Sequence, residues 1–169
     1  MEDISLHILD LAENSVRAGA RNITIEIVED TKDDLLTLTI IDDGKGMDKE
    51  TIKKADSPFF STKGKKIGLG LSFLKQATKE AGGSFSIEST PGKGTKVFAS
   101  FKLAHIDRKP LGNIKETIKT LIIGNPEIRL IYKHKMDGKI FFLDTKRIKH
   151  KNIKETIEHI DKKLQGLIQ

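Results

Sequence analysis

The chain has 169 residues, 37% hydrophobic and 32% charged, with no cysteine and a formal net charge of +6. That length supports one good core, or one domain with a small addition, and the missing thiols exclude disulfides, thiolate metal sites and a Cys nucleophile. No apolar run approaches a membrane span, and the start from Met1 to His7 lacks the regions of a signal peptide, so a cytoplasmic protein with no membrane partner is expected.

From Ile4 to Ala18, apolar residues recur with a helical period at Ile4, Ile8, Leu11, Ala12 and Val16, and Gly19 is a natural stop. On the opposite face His7, Asp10, Asn14 and Arg17 fall at offsets of 3, 4 and 3, which puts a carboxylate, an amide oxygen and a guanidinium on one stripe. Asn22 to Val28 alternates isoleucines with polar residues, and Leu35 to Ile41 is a second apolar, β-branched run. The acidic turn between them predicts an antiparallel hairpin. The second strand ends in Asp42-Asp43-Gly44-Lys45-Gly46-Met47. A carboxylate there can accept a hydrogen bond from an exocyclic amine, and glycines just after it let a flat ring lie against the backbone. A calcium loop needs further acidic ligands and a closing Glu, which Lys45, Met47 and Lys49 do not supply.

Asp48 is placed to cap a short helix through Ala55. Ser57 to Leu71 then carries Phe59-Phe60, Lys63, Lys65 and Lys66, and ends in Gly68-Leu69-Gly70-Leu71, which opens a helix running to Ala81. This reads as a phosphate-covering lid: glycines let backbone approach an anion, and a helix start offers free N–H groups and a positive dipole end. The stretch lacks Walker spacing, so alone it is a weak signal. Gly82-Gly83 stops the helix, and Ser84 to Ser89 with Thr95 to Leu103 forms a hairpin around Pro91 to Gly94. The expected fold is α+β, a two-layer sandwich with helices over one face of a mixed, mostly antiparallel sheet, in a domain spanning 1–104.

Residues 105–112 read as a linker, and 113–169 as a small basic C-terminal αββα appendage. It has a helix from about Asn113, strands near Ile128 to Lys133 and Lys139 to Leu143, and a last helix from Asn152. Asn-Ile-Lys-Glu-Thr-Ile occurs at 113–118 and again at 152–157; each copy offers an Asn cap with Glu three residues on, which explains the match without duplication. Residues 105–169 hold 15 Lys and Arg against 8 Asp and Glu, a charge that reads first as a solvated surface. Nucleic acid lacks support, because Tyr132, Phe141 and Phe142 are too few for an evident base-stacking platform.

Taken together, these motifs resemble the GHKL superfamily of ATPases, shared by histidine kinases, Hsp90, MutL-type repair proteins and type II topoisomerases. Asp10 to Ala20 is similar to the N box, Asp42-x-Gly44-x-Gly46 to the first glycine box, Pro58 to Lys63 to the F box, and Gly68 to Leu71 to the second glycine box. Gly92-Lys93-Gly94-Thr95 resembles the turn that closes the site. The resemblance covers about residues 4 to 103, closest to the histidine-kinase and anti-sigma-kinase branch from Phe59 to Thr95, while Glu13 to Ala20 is similar to the MutL branch.

The resemblance implies a Bergerat-type fold and bound Mg-ATP. Asn14 would coordinate Mg²⁺, Asp42 would accept from the adenine amino group, and Thr95 would support it directly or through water. Gly44, Gly46 and Met47 would shape the adenine pocket, and Gly68, Leu69, Gly70 and Leu71 would open the phosphate-binding helix. Arg17 stands where kinases often carry a phosphate-contacting Lys, and Lys63 is a lid contact. Hydrolytic members place a water-orienting Glu four residues before the Asn; here it is Asp10, with the base chemistry but one methylene less reach. Few residues precede the N box, so a stand-alone protein without its own phosphoacceptor domain is expected. It would phosphorylate a protein partner in trans or hydrolyse ATP slowly; the alternative is a nucleotide-gated adaptor with little turnover, and a MutL-like clamp ranks third.

Overall fold

The computed structural model describes residues 3–55, 67–148 and 152–166. Helix α1 (Ile4–Arg17) begins at Asp3, whose carboxylate accepts from the Leu6 N–H at 3.0 Å. Strands β1 (Asn22–Asp30) and β2 (Leu35–Asp42), helices α2 (Lys49–Ala55) and α3 (Ile67–Glu80), and strands β3 (Phe85–Thr90) and β4 (Gly94–Lys102) follow in the expected order. The C-terminal part supplies α4 (Ile114–Gly124), β5 (Arg129–Met136), β6 (Lys139–Asp144) and α5 (Ile153–Leu164).

All six strands form one sheet in the order β3-β4-β2-β1-β5-β6, antiparallel at every junction except β1 with β5. Alternation sets which face is buried. Ile23, Ile25 and Ile27 of β1, Leu36, Leu38 and Ile40 of β2, and Val97, Ala99 and Phe101 of β4 point the same way, and all are buried. Helices α1 and α3 cover that face with Ile4, Ile8, Leu11, Ala12, Leu74 and Ala77. A fully buried aliphatic side chain contributes about 1.5–3 kcal/mol, so these rows dominate the folding energy.

The C-terminal αββα elements form, but they extend this sheet instead of standing off as an appendage. β5 lies parallel to β1 with Ile25 opposite Tyr132, and Leu130, Tyr132, Leu143, Ile118 and Ile160 join the same core. Periodicity shows that a strand exists but not which neighbour it pairs with; β1 becomes central because its unpaired edge accepts β5. The stretch read as a linker is also tied in. Pro110 and Leu111 carbonyls accept from the Ile4 and Ser5 N–H groups at 2.9 and 2.8 Å, satisfying free donors at the start of α1. Asn113 and Asn152 cap α4 and α5 by accepting from the N–H groups of Glu116 and Glu155, so the repeated hexapeptide builds the same helix start twice. No helix among the described residues is long and apolar enough to cross a membrane.

Candidate functional site

The inward alternation of β2 runs Leu36, Leu38, Ile40 and then Asp42, so the last position of an apolar row is a carboxylate facing the helices. Its cross-strand neighbour is Thr95, and Thr95 in turn faces Ser89 on β3. Three polar side chains thus share one row at the end of the sheet, beside the apolar row Ile40, Val97 and Ile87. Two donors hold the Asp42 carboxylate: Ser15 Oγ of α1 reaches Oδ2 at 2.6 Å, and the Gly44 N–H reaches Oδ1 at 2.9 Å. These bonds fix the plane of the group, and each oxygen keeps a further lone pair for a ligand.

Two glycines bring the loop after β2 against the β3–β4 turn. Gly46 has φ +71° and a Cβ on it would lie 2.1 Å from the Thr90 carbonyl oxygen; Gly94 has φ +96° and would meet the Asp42 carbonyl oxygen at 2.0 Å. Neither position admits a side chain. The Gly92 N–H donates to the Lys45 carbonyl at 2.7 Å, and the Met47 N–H donates to Ser89 Oγ at 2.8 Å. Ser89 Oγ lies 2.8 Å from Thr95 Oγ1, so Met47, Ser89 and Thr95 form one connected wall.

Above this floor α1 presents Asn14, half-buried. Its Oδ1 accepts from Arg17 Nη1 at 2.7 Å, while its buried Nδ2 finds no acceptor among the described residues. Arg17 is exposed and lies 3.9 Å from Glu13. Asp10, one turn earlier, is half-buried with its carboxylate against Gly70 of α3. His7 does not face the site as an accessible group: it is 2% exposed, and burial pushes its pKa from the ordinary 6.5 down to about 4. It is neutral at pH 7, and its burial keeps it away from any ligand in the cleft.

Between floor and helix lies a cleft of about 430 Å³. Its walls carry Asn14, Ser15, Asp42 and Thr95 among apolar Leu11, Ile40, Met47, Leu71 and Val97. That is the size and lining of a small-molecule site, mostly apolar with a few convergent polar groups. Of the residues singled out in the sequence, Asn14, Asp42, Gly46, Met47, Leu71 and Thr95 are brought together on this cleft. Gly44 sits behind Asp42 against Ala18, Arg17 lies on Asn14, and Asp10 meets Gly70 between α1 and α3. Gly68 and Leu69 fall in the first turn of α3. Lys63, with Lys65, Lys66 and the Pro58 to Thr62 box, lies outside the described residues.

Two contributors escaped the sequence reading. Ser15 has a signal in its spacing, one turn beyond Leu11 on the buried flank of α1; Ser89 becomes visible only once the hairpin register sets it opposite Thr95. The neighbouring acid Asp43 has a different task. It accepts from the Arg21 and Asn22 N–H groups at 2.8 and 2.9 Å and from Asn22 Nδ2 at 2.7 Å, and the Asn22 bonds hold its carboxyl below the usual range. Asp43 ties the α1–β1 turn to the end of β2 and leaves Asp42 to face the cleft.

A carboxylate-floored cleft thus lies between a helix layer and a mostly antiparallel sheet, the form of a small-molecule-binding domain. Residues 2–105 match the model of the histidine kinase-, DNA gyrase B- and HSP90-like ATPase family, and the chain belongs to that family. It is 31% identical to an NtrY-like sensor histidine kinase of Rickettsia felis, across 64% of this chain and 18% of that protein. The chain therefore spans under a fifth of that relative's length. Two solved structures share the fold over nearly all of it. The Aquifex aeolicus MutL ATPase domain complexed with ADP has a TM-score of 0.58 at 19% identity, covering 96% of this chain and 70% of that one. The N-terminal domain of a DNA repair protein gives 0.65 at 16% identity, covering 98% and 59%.

Proposed function

We propose that this is a cytoplasmic, histidine-kinase-like protein that binds Mg-ATP in the cleft above Asp42 and either hydrolyses it slowly or passes the γ-phosphoryl group to a protein partner. The observation that carries the reading is the Asp42 carboxylate, oriented by Ser15 and Gly44 on the floor of a cleft of nucleotide size in a chain of an ATPase family. Asp42 accepts from the adenine amino group, Thr95 supports it from the adjacent strand, and Gly44, Gly46 and Met47 leave a flat slot for the ring. Asn14 fits a divalent ion through its Oδ1, since Mg²⁺ takes oxygen ligands and few protein groups when phosphates supply the rest. An ion held there would neutralise phosphate charge. Arg17, which covers that oxygen in this structure, would then be free to reach the phosphates, together with the backbone of Gly68, Leu69 and Gly70 and with Lys63.

In hydrolysis a water oxygen attacks the γ-phosphorus, Asp10 takes the water proton, and the bond to the bridging β-phosphate oxygen breaks with its electron pair leaving on ADP. In transfer, a nucleophilic side chain of the partner replaces the water. Catalysis is mainly positioning and charge stabilisation. The adaptor reading has one observation in its favour: the Asp10 carboxylate packs on α3 and does not line the cleft. ATP would then order the site for a partner with little turnover.

The test is a thermal shift with ADP and Mg-ATP, followed by phosphate release and by labelled ATP incubated with a co-purified partner. Binding at a hundredfold excess over Kd adds roughly 2.7 kcal/mol of stability. No shift with either nucleotide would sink the proposal; label on the partner selects transfer, and association without label selects the adaptor.

A further inference from the structure

From the sequence, the second glycine of Gly68-Leu69-Gly70 matters only as backbone facing phosphates. The structure gives its missing side chain another use. A Cβ built on Gly70 would lie 1.8 Å from Asp10 Oδ2 and 3.1 Å from Asp10 Cγ, and the next nearest atom is Asp10 Oδ1 at 3.9 Å. Beyond the helix's own backbone, the three nearest atoms to that empty position all belong to one carboxylate. Gly70 is itself buried, it is helical with no positive φ, and it stands in the first turn of α3, so neither backbone strain nor a turn explains the glycine.

We propose that Gly70 is a positioning residue for Asp10: its hydrogen in place of a methyl group lets the start of α3 close onto the Asp10 carboxylate and keys that helix to the proton acceptor on α1. The carboxylate is held from one side by the α3 backbone, so its orientation depends on how α3 seats on α1. The anion also lies beside the first turn of a helix, where the dipole end favours negative charge. A shift of α3 along α1 would therefore move the wall that the carboxylate rests on.

The inference rests on Asp10 as proton acceptor, so the experiment separates the two. Gly70→Ala is made in the natural chain and in an Asp10→Ala chain, with Asp10→Asn alongside, and thermal midpoint, ADP affinity by calorimetry and phosphate release are measured for each. Alanine is the better helix former, and with the carboxylate gone nothing lies close to its methyl group. Gly70→Ala should therefore raise the midpoint of the Asp10→Ala chain by more than that of the natural chain, where the carboxylate must turn away to admit the methyl group. It should cut phosphate release of the natural chain roughly tenfold or more, since small misplacement of a reacting group is costly, and any change in ADP affinity should be equal in the two chains. It should add no further loss of release to Asp10→Ala. An equal midpoint change in both chains, or a further loss of phosphate release in the Asp10→Ala chain, would overturn the role of Gly70. If Asp10→Asn leaves phosphate release unchanged while the midpoint difference stands, the steric key is real but both its catalytic purpose and the base assignment are wrong. A fall in release with Asp10→Asn and no midpoint difference removes Gly70 alone.

Discussion

Two polar clusters face the helices from the same sheet, and they behave in opposite ways. On the C-terminal side, Tyr132 Oη lies 2.8 Å from His134 Nδ1 and His134 Nε2 lies 2.7 Å from Glu29, a chain of hydrogen bonds that crosses from β5 to β1. Tyr132 and His134 are both buried, and the tyrosine hydroxyl is pushed to a higher pKa by burial and by the Glu29 charge. Each group there answers another. On the N-terminal side, Asp42, Thr95 and Asn14 border an open cleft, and the Asn14 amide nitrogen has no acceptor among the described residues. A closed polar chain holds two strands together; an open one with spare hydrogen-bonding capacity is prepared for a ligand.

Removing the strands that the closed cluster holds should have the largest effect. Truncation after Gly112 leaves β1 with an unpaired edge and strips α4 from α1, and it deletes Leu130, Tyr132, Ile118 and Leu143 from the common core. The shortened chain should lose its cooperative thermal transition; a sharp transition near that of the full chain would show that the C-terminal elements are an independent appendage. Next comes Asp42→Asn, which reverses the polarity of the group meeting an exocyclic amine. Calorimetry should show nucleotide affinity reduced about a hundredfold or more, while urea unfolding shifts by no more than about 1 kcal/mol, because Asn still accepts from the Gly44 N–H.

Tyr132→Phe makes the contrast sharper. It leaves His134 Nδ1 without its buried partner, and should cost about 1–3 kcal/mol in urea unfolding with no change in nucleotide affinity. An affinity loss there would mean that the two clusters are coupled. The smallest effect at neutral pH belongs to His7. Its folded pKa of about 4 lies below the ordinary 6.5, so the unfolded chain binds more protons in that window and stability falls as pH drops from 6.5 towards 4. His7→Leu should flatten that part of a stability profile and leave stability above pH 7 nearly unchanged.

Much of this was legible before the fold was known, for identifiable reasons. The helical spacing in α1, the Ile alternation in β1 and the glycine pair that follows Ala81 each report local geometry, and each element formed where its pattern placed it. Asp42 and Thr95 sit far apart in sequence and are joined there only by the resemblance of their motifs to one family's site; their pairing across β2 and β4 is a fact of the fold. What stayed hidden was pairing between distant segments. Nothing local in Arg129 to Met136 says that it lies parallel to β1, and nothing near Gly70 says that its empty side faces Asp10. His7 read as a member of the polar stripe because helical spacing cannot report that the residues 105–112 and α4 close over the start of α1.

The most direct test is a calorimetric titration of ADP, with Mg²⁺ present, into the natural chain and into Asp42→Asn, both checked as folded by their thermal transitions. The account predicts one saturable site in the natural chain and about a hundredfold or greater loss in the variant. Equal affinities in the two, or no binding to the natural chain, would contradict it.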